Sequence, residues 1–244
     1  MSVDYDQASR GYDETRRFDA DVIDALVARA TLSARSKVLD FGCGTGNYLA
    51  ELDRRFSCEC YGVDPSPGMR AIAKRKNLRL LIRDGDHRQI PFGDTKFDLI
   101  YMTDVIHHVP DVSQLFAQIC PRLSERGLLC IVTESRAQVA ARFYNGYFPS
   151  LKGTETGRYP DLEGLVAVAR RSGLEHLANE SLPNLAERTI DAEFIETVAT
   201  KNFSMFHSLS TTEFERGLAA IIADQGRTFP PAGAGKTLVW FRPA

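Results

Sequence analysis

The chain has 244 residues, 43% of them apolar and 25% charged, enough to bury one sizeable core without disulfide support. The 30 Lys and Arg against 32 Asp and Glu give a formal net charge of −2, which argues against a protein built on phosphate-backbone contacts. No apolar run approaches transmembrane length, and the start Met1-Ser2-Val3-Asp4-Tyr5-Asp6 is acidic where a signal peptide is basic, so a cytoplasmic location is expected.

Residues 1 to about 35 read as a polar lead followed by a helix, with Phe18, Val22, Ile23, Leu26 and Val27 on one face. That pattern fits an amphipathic lid on a sheet edge. Lys37 to Asn47 reads as a short buried strand (Val38, Leu39), the acidic Asp40 at its carboxyl end, and a glycine turn. The turn opens a helix to about Phe56 that carries Leu49 and Leu52 inward. Strand two, Cys58 to Val63, ends at Asp64-Pro65-Ser66-Pro67, with Ser66 an N-cap and Pro67 at the first helical position. Strand three, Leu78 to Ile82, ends at Arg83-Asp84-Gly85-Asp86-His87. Strand four is Phe97 to Met102, and Asp111 then begins a helix with Gln114 at capping-box spacing. Strand five is Gly127 to Val132.

After Glu134 the pattern changes. Arg142 to Pro149 is aromatic and irregular, and a helix follows from Asp161 to about Ser172. Strand six spans Leu174 to Leu182. A helical pair covers roughly 190 to 224, its second member opening with the capping box Ser210-Thr211-Thr212-Glu213, and the last strand is Thr237 to Phe241. Strands alternating with helices of this length predict a parallel, helix-covered sheet with right-handed crossovers. The organisation expected is an N-terminal helical lid (1–35), a core (36–134), and a remainder of the core (135–244) with an inserted cap at about 135–160 and 185–224. The length suits one core domain with a cap better than two independent domains.

The five cysteines include no Cys-x-x-Cys pair. Cys58 and Cys60 alternate on one strand, where a disulfide between them is geometrically poor. Zinc needs more ligands close by than the chain offers, so no metal is expected and the thiols are read as free and mostly buried.

The glycine turn is the stretch that points to a ligand. A dinucleotide fingerprint needs its third glycine at position 47, where Asn47 stands, and no Gly-Lys-Ser/Thr of a phosphate loop follows. The run Asp40-x-Gly42-x-Gly44-x-Gly46 resembles motif I of the class I S-adenosylmethionine-dependent methyltransferases. Asp64 closes strand two about twenty residues on, where an open α/β fold sets a carboxylate against ribose hydroxyls. An Asp before Pro-Ser-Pro is equally a good turn residue, and both uses stay open. Gly85-Asp86-His87-Arg88-Gln89-Ile90-Pro91-Phe92 is similar to the family's Gly-Asp-Ala-x-x-Leu-Pro-Phe segment, whose Asp takes the adenine amino group. His87 replaces a small residue there, narrowing the adenine slot or adding a stacking edge. Phe97 to Asp111 resembles the family's post-strand loop, where methyl and acceptor meet.

The resemblance covers roughly residues 36 to 134, and the later segments look like the variable cap of small-molecule methyltransferases, among them the ubiquinone/menaquinone-type group. It implies a seven-stranded Rossmann-like α/β sheet, mostly parallel with the last strand antiparallel, helices on both faces and a helical cap. It also implies S-adenosyl-L-methionine as cofactor, S-adenosyl-L-homocysteine as product, and direct displacement onto a small organic acceptor. The cofactor residues so implied are Asp40, Gly42, Cys43, Gly44, Gly46, Asp64, Pro65, Asp86, His87 and Thr103. Tyr12 and Arg17 are candidates for closing over the cofactor's methionine end, with lid packing as the other use.

His107 and His108 stand where a general base is wanted, and a His pair there resembles that of several O-methyltransferases. Shaping the loop or touching cofactor is their alternative role. His108 is preferred by motif position, while His176 and His207 lie outside the constellation. Tyr144, Tyr147, Arg158 and Tyr159 are candidate acceptor-pocket residues, since cap aromatics give broad contact with a polar tip. The expected partner is a small-molecule methyl acceptor at oxygen, then nitrogen or carbon, for a monomer or homodimer without nucleic-acid or membrane partners. The rival readings are a quinone-type C-methyltransferase and a non-catalytic cofactor-binding protein acting through a partner.

Overall fold

The structure, a computed structural model, describes residues 18–184, 187–201, 203–229 and 235–244. Tyr12 and Arg17 lie outside the described residues. Strands β1 to β9 are Lys37–Phe41, Glu59–Val63, Leu81–Arg83, Phe97–Thr103, Leu123–Thr133, Leu174–Leu182, Arg188–Thr189, Thr228–Phe229 and Lys236–Pro243. Helices α1 to α9 are Ala20–Ala30, Asn47–Phe56, Pro67–Lys76, Val112–Ile119, Arg136–Ala140, Pro149–Arg158, Leu162–Arg171, Ala192–Ala199 and Thr211–Ala223. They form two compact units, one of residues 18–133, 161–182 and 237–244, the other of 134–160 and 183–236.

The larger unit holds, among the described residues, a seven-stranded sheet in the order β3-β2-β1-β4-β5-β9-β6. β1 pairs parallel with β2 on one side and β4 on the other, so the strand order reverses at β1 and opens a crevice at its carboxyl end. β5 and β9 are antiparallel, as the family resemblance implies.

Alternation along the strands makes two cores. Leu39, Ile100, Met102, Leu129, Ile131, Val239 and Phe241 pack with Leu115, Phe116 and Ile119 of α4 and Leu165 and Ala169 of α7. Val38, Leu99, Tyr101, Cys130, Val132, Leu238 and Trp240 pack with Val22, Ile23 and Leu26 of α1 and Leu49 and Leu52 of α2. A sheet buried on both faces fixes its register, because a one-residue slip would exchange the two cores.

Several local expectations change. β3 starts at Leu81, and Leu78 is 90% exposed; as the outermost strand it has only one neighbour to hold it. β5 begins at Leu123, four residues early, because a register shift between Phe97 and Leu99 extends its pairing with β4. Asp111 and Ser210 do cap their helices, accepting from the N–H groups of Gln114 and Glu213. The Glu213 carboxylate, however, accepts from Ser150 N and Oγ at 3.0 and 2.7 Å. The capping box with both bonds is Ser135 and Gln138 at α5. All five cysteines are free, and the Cys58 and Cys60 thiols lie 3.5 Å apart.

The smaller unit has its own aromatic core. Phe148 and Phe206 are fully buried with ring centroids 5.1 Å apart, and Phe148 stacks on Phe214 at 6.2 Å. Gly217 of α9 lets this happen, since a Cβ there would sit 2.1 Å from Phe148 Cε1. α6 was not anticipated: its Thr residues and Gly153 and Gly157 are weak helix formers. Pro149 at its first turn and its place in this core sustain it.

Candidate active site

β1 runs into the turn at Gly42, whose φ of +77° only glycine holds without strain. A Cβ there would lie 2.5 Å from Val105 Cγ2, in the loop after β4. The N–H groups of Gly42 and Cys43 both donate to Val63 O, at 2.7 and 3.0 Å, lashing the turn to the end of β2. Gly46 caps α2 without a side-chain hydrogen bond, and the helix has no acidic residue in its first turn. Ten residues of helix thus present their positive end at the turn without an acidic or side-chain cap.

The carboxylates gather at the same strand ends. Asp64, which is buried, accepts from Gly44 N through Oδ2 and from Ser66 N through Oδ1, each at 2.8 Å. The turn role is therefore present, and the carboxylate stands at the strand end where a ribose would lie. Asp86 accepts from Arg88 Nε at 2.9 Å and from Arg88 N at 2.8 Å, and this hydrogen bonding holds its carboxyl below the usual range. His87 beside it is half-buried and Pro65 is exposed. Cys43 is buried in the turn, which pushes its thiol well up and leaves it a packing group.

Asp40 is 3% exposed and its pKa is pushed up to about 8. Burial is the main cause and Asp64 adds to it, while the Tyr101 hydroxyl opposes. Tyr101 is the register partner of Asp40 across β1 and β4. Its hydroxyl is buried with no partner at hydrogen-bond distance. Tyr48 of α2 sets its ring 6.4 Å from that of Tyr101 and accepts from Asp19 N at 3.1 Å. Neither tyrosine was singled out by the sequence. The usable signal was a phenol amid the aliphatic residues of a buried strand.

Thr103 closes β4 with a buried, unpartnered Oγ1. His107 and His108 follow in one 3-10 turn, Ile106–His108, with ring centroids 4.1 Å apart. His107 is half-buried and His108, the one preferred by motif position, is exposed. Among the described residues no group of three His, Cys, Asp or Glu side chains could hold a metal ion.

In the smaller unit, three of the four acceptor candidates gather around one residue that the sequence did not mark, Arg142. Its guanidinium lies 5.0 and 5.8 Å from the ring centroids of Tyr159 and Tyr144, and Nη2 donates to Tyr159 Oη at 2.7 Å. Nε and Nη2 also grip Glu134 at 2.9 and 2.7 Å. Arg158 donates to Glu155 Oε1 at 2.7 Å, and Glu155 Oε2 also lies 3.5 Å from Arg142. Tyr147 stands apart, donating to Asp224 Oδ2 at 2.6 Å. His176 bonds Asn179 and is half-buried, while His207 is exposed.

A family model described as a methyltransferase domain matches residues 12–179. Of the curated relatives, an uncharacterized methyltransferase of Anoxybacillus flavithermus is 36% identical over 107 residues, 44% of this chain and 50% of that one. A ubiquinone biosynthesis O-methyltransferase of Azorhizobium caulinodans is 29% identical over 126 residues, 47% of this chain and 49% of that one. The chain spans about half the length of the curated relatives it matches. Of the solved structures, a protein assigned to methyl transfer in antibiotic biosynthesis in Anabaena variabilis superposes with a TM-score of 0.74 at 19% identity, covering 93% of this chain and 99% of that one. A Haemonchus contortus phosphoethanolamine N-methyltransferase in complex with S-adenosylhomocysteine gives 0.59 at 19% identity, over 98% of this chain and 58% of that one. Both likenesses concern the fold.

Proposed function

Because this chain belongs to the methyltransferase-domain family, we propose that it moves a methyl group from S-adenosylmethionine to an oxygen of a small organic acceptor. One observation carries the cofactor reading: the Gly42–Gly46 turn, too tight for a Cβ at Gly42, is tied by the Gly44 N–H to Asp64 at the next strand end. The residues fit the group. Asp64 has acceptor capacity for ribose hydroxyls, and Asp86 for an adenine amino group. The end of α2 and Asp40 offer opposite polarities to the zwitterionic methionine portion. Bound there, S-adenosylmethionine supplies an electrophilic methyl group on a sulfonium that is already a good leaving group.

The chain's part is then positioning and proton removal. Aligning the reactants is worth about 7–11 kcal/mol of barrier in well-oriented systems. His107 or His108 takes the acceptor's proton, and Tyr144, Tyr147, Arg158 and Tyr159 are our proposed acceptor-recognising residues. The O-methyltransferase named among the relatives supports oxygen over nitrogen or carbon. We place the enzyme in the cytoplasm, as a monomer or homodimer with no nucleic-acid or membrane partner. No described helix is long and apolar enough to cross a membrane.

The test uses S-adenosylmethionine labelled in its methyl group, incubated with purified protein and fractionated cell extract. Label is expected in one small-molecule species as a base-labile or ether-type methyl; label in protein or RNA sinks the small-molecule reading. With that species as substrate, replacing both His107 and His108 by Ala is expected to lower turnover about 10²-fold while cofactor affinity stays within about twofold. Unchanged turnover removes the base assignment. A quinone-type C-methyl product would appear as base-stable label on carbon.

A further inference from the structure

Among the buried polar groups to which the proposed chemistry gives no task, Tyr101 lies nearest the glycine turn. Tyr101 is completely buried, and its hydroxyl has no partner at hydrogen-bond distance. An orphaned hydroxyl in a native interior asks for a reason, since such groups are nearly always satisfied. The register of β1 and β4 sets Tyr101 directly opposite Asp40, so both side chains leave the sheet on the same face, below the glycine turn.

Resting on the S-adenosylmethionine reading, we infer that Tyr101 is a positioning residue for Asp40: its hydroxyl is the donor that holds the Asp40 carboxylate ionised and aimed when the cationic end of the cofactor arrives. The surroundings leave it this part. The titratable groups that bear on Asp40 are Tyr101 from β4, Asp64 from the end of β2, Cys43 from the turn, Tyr48 from α2 and Cys60 from within β2. None of these is a cation, and Asp64 repels; Arg70 of α3, which donates to Asp64 O at 2.8 Å, is a cation that bears on the neighbouring Cys43. Tyr48 is turned to Asp19 N. Tyr101 keeps its proton at any working pH, because burial and the Asp40 charge both raise its titration well above the usual phenol range. It is thus a donor whenever Asp40 is charged. Without a cation beside it, burial drives the carboxyl toward its neutral form, which makes less demand on that donor. A phenylalanine would fill the same space and lack only the hydroxyl.

Calorimetric titration of S-adenosylmethionine into the whole chain, from pH 6 to 9, tests this. The wild type is expected to release part of a proton on binding, with affinity rising toward alkaline pH. Tyr101→Phe is expected to bind about 10-fold more weakly at pH 7, its pH profile displaced upward by about one unit, because the ionised acid has lost its donor. Its melting temperature should stay within about 2 °C, which a merely structural role for the hydroxyl would not predict together with a displaced profile. In an Asp40→Asn background the same replacement is expected to change affinity less than about twofold, since there is no charge left to hold. Should Tyr101→Phe fold poorly, 3-fluorotyrosine installed at 101 keeps the shape with a stronger donor, and the profile should move down. Superposed profiles for wild type and either variant overturn the role of Tyr101. A wild type that binds neither S-adenosylmethionine nor S-adenosylhomocysteine overturns the cofactor reading itself.

Discussion

Replacing Asp40 with Asn is expected to make the cofactor-free protein more stable at pH 8 while weakening its cofactor affinity roughly 10- to 100-fold. The two effects share one cause. Burial lifts the Asp40 pKa from 3.8 to about 8 in the folded chain. Below about pH 3.8 the acid is protonated in folded and unfolded chains alike and its stabilising share is complete. Above that pH the unfolded chain loses the proton while the folded chain keeps it, so stability falls until the folded acid ionises near pH 8. Three pH units at about 1.4 kcal/mol each make the loss between pH 5 and 8 roughly 4 kcal/mol, an upper bound because water and relaxation reduce it. Asn has the shape of the neutral acid and no proton to lose.

Thermal unfolding of both proteins from pH 5 to 8.5 should therefore give curves that diverge with rising pH, the variant ending about 10 °C higher. Saturating S-adenosylmethionine should narrow the gap, since a cation beside Asp40 favours the charged form that the empty site opposes. Parallel curves at all pH values would show that Asp40 is ionised in the empty protein and that the site is wetter than its 3% exposure implies.

The contrast between Asp40 and Tyr101 shows what a sequence can carry. A Gly-x-Gly-x-Gly run after a strand is legible because backbone sterics act within a few residues, and Gly42, Gly44 and Gly46 are indeed held at φ of +77°, +52° and +76°. Asp64 and Asp86 are legible because a strand end is a local event, marked by Pro-Ser-Pro and by Gly-Asp-His. Tyr101 is invisible for the opposite reason. Its meaning comes from a partner 61 positions away, reached through the pairing of β1 with β4. A tyrosine in a buried strand looks like packing until that register is known.

The same holds for the smaller unit. Phe148, Phe206 and Phe214 form its core from three separate segments, and the Gly and Thr residues of α6 weaken its preference for a helix. The misplaced start of β3 follows from edge exposure, which composition does not record.

Arg142 is the other position whose loss should be large. In the smaller unit its side chain is 10% exposed, the Glu134 side chain 12% and the Glu155 side chain 4%. Truncation to Ala removes the bidentate partner of Glu134, one neighbour of Glu155 and the donor to Tyr159 Oη at once. Breaking a buried ion pair from one side commonly costs about 3–5 kcal/mol, because the remaining charge stays out of water without compensation. Lys236 at 3.7 Å from Glu134 and Arg158 at 2.7 Å from Glu155 supply part of that compensation, so the lower end, about 3 kcal/mol, is expected. The measure is hydrogen exchange across 136–158 and 192–223, read alongside urea unfolding.

Charge and packing can be separated. Arg142→Met retains apolar contact with the Tyr144 and Tyr159 rings and should still lose most of the stability. Adding Glu134→Gln, which removes the stranded charge, should return about half of it, since a neutral pair no longer carries the desolvation cost. If the single variant costs under about 1 kcal/mol, the cluster behaves as a hydrated surface pair. If the double variant recovers nothing, Arg142 acts through the shape it gives Tyr144 and Tyr159, and its charge is incidental.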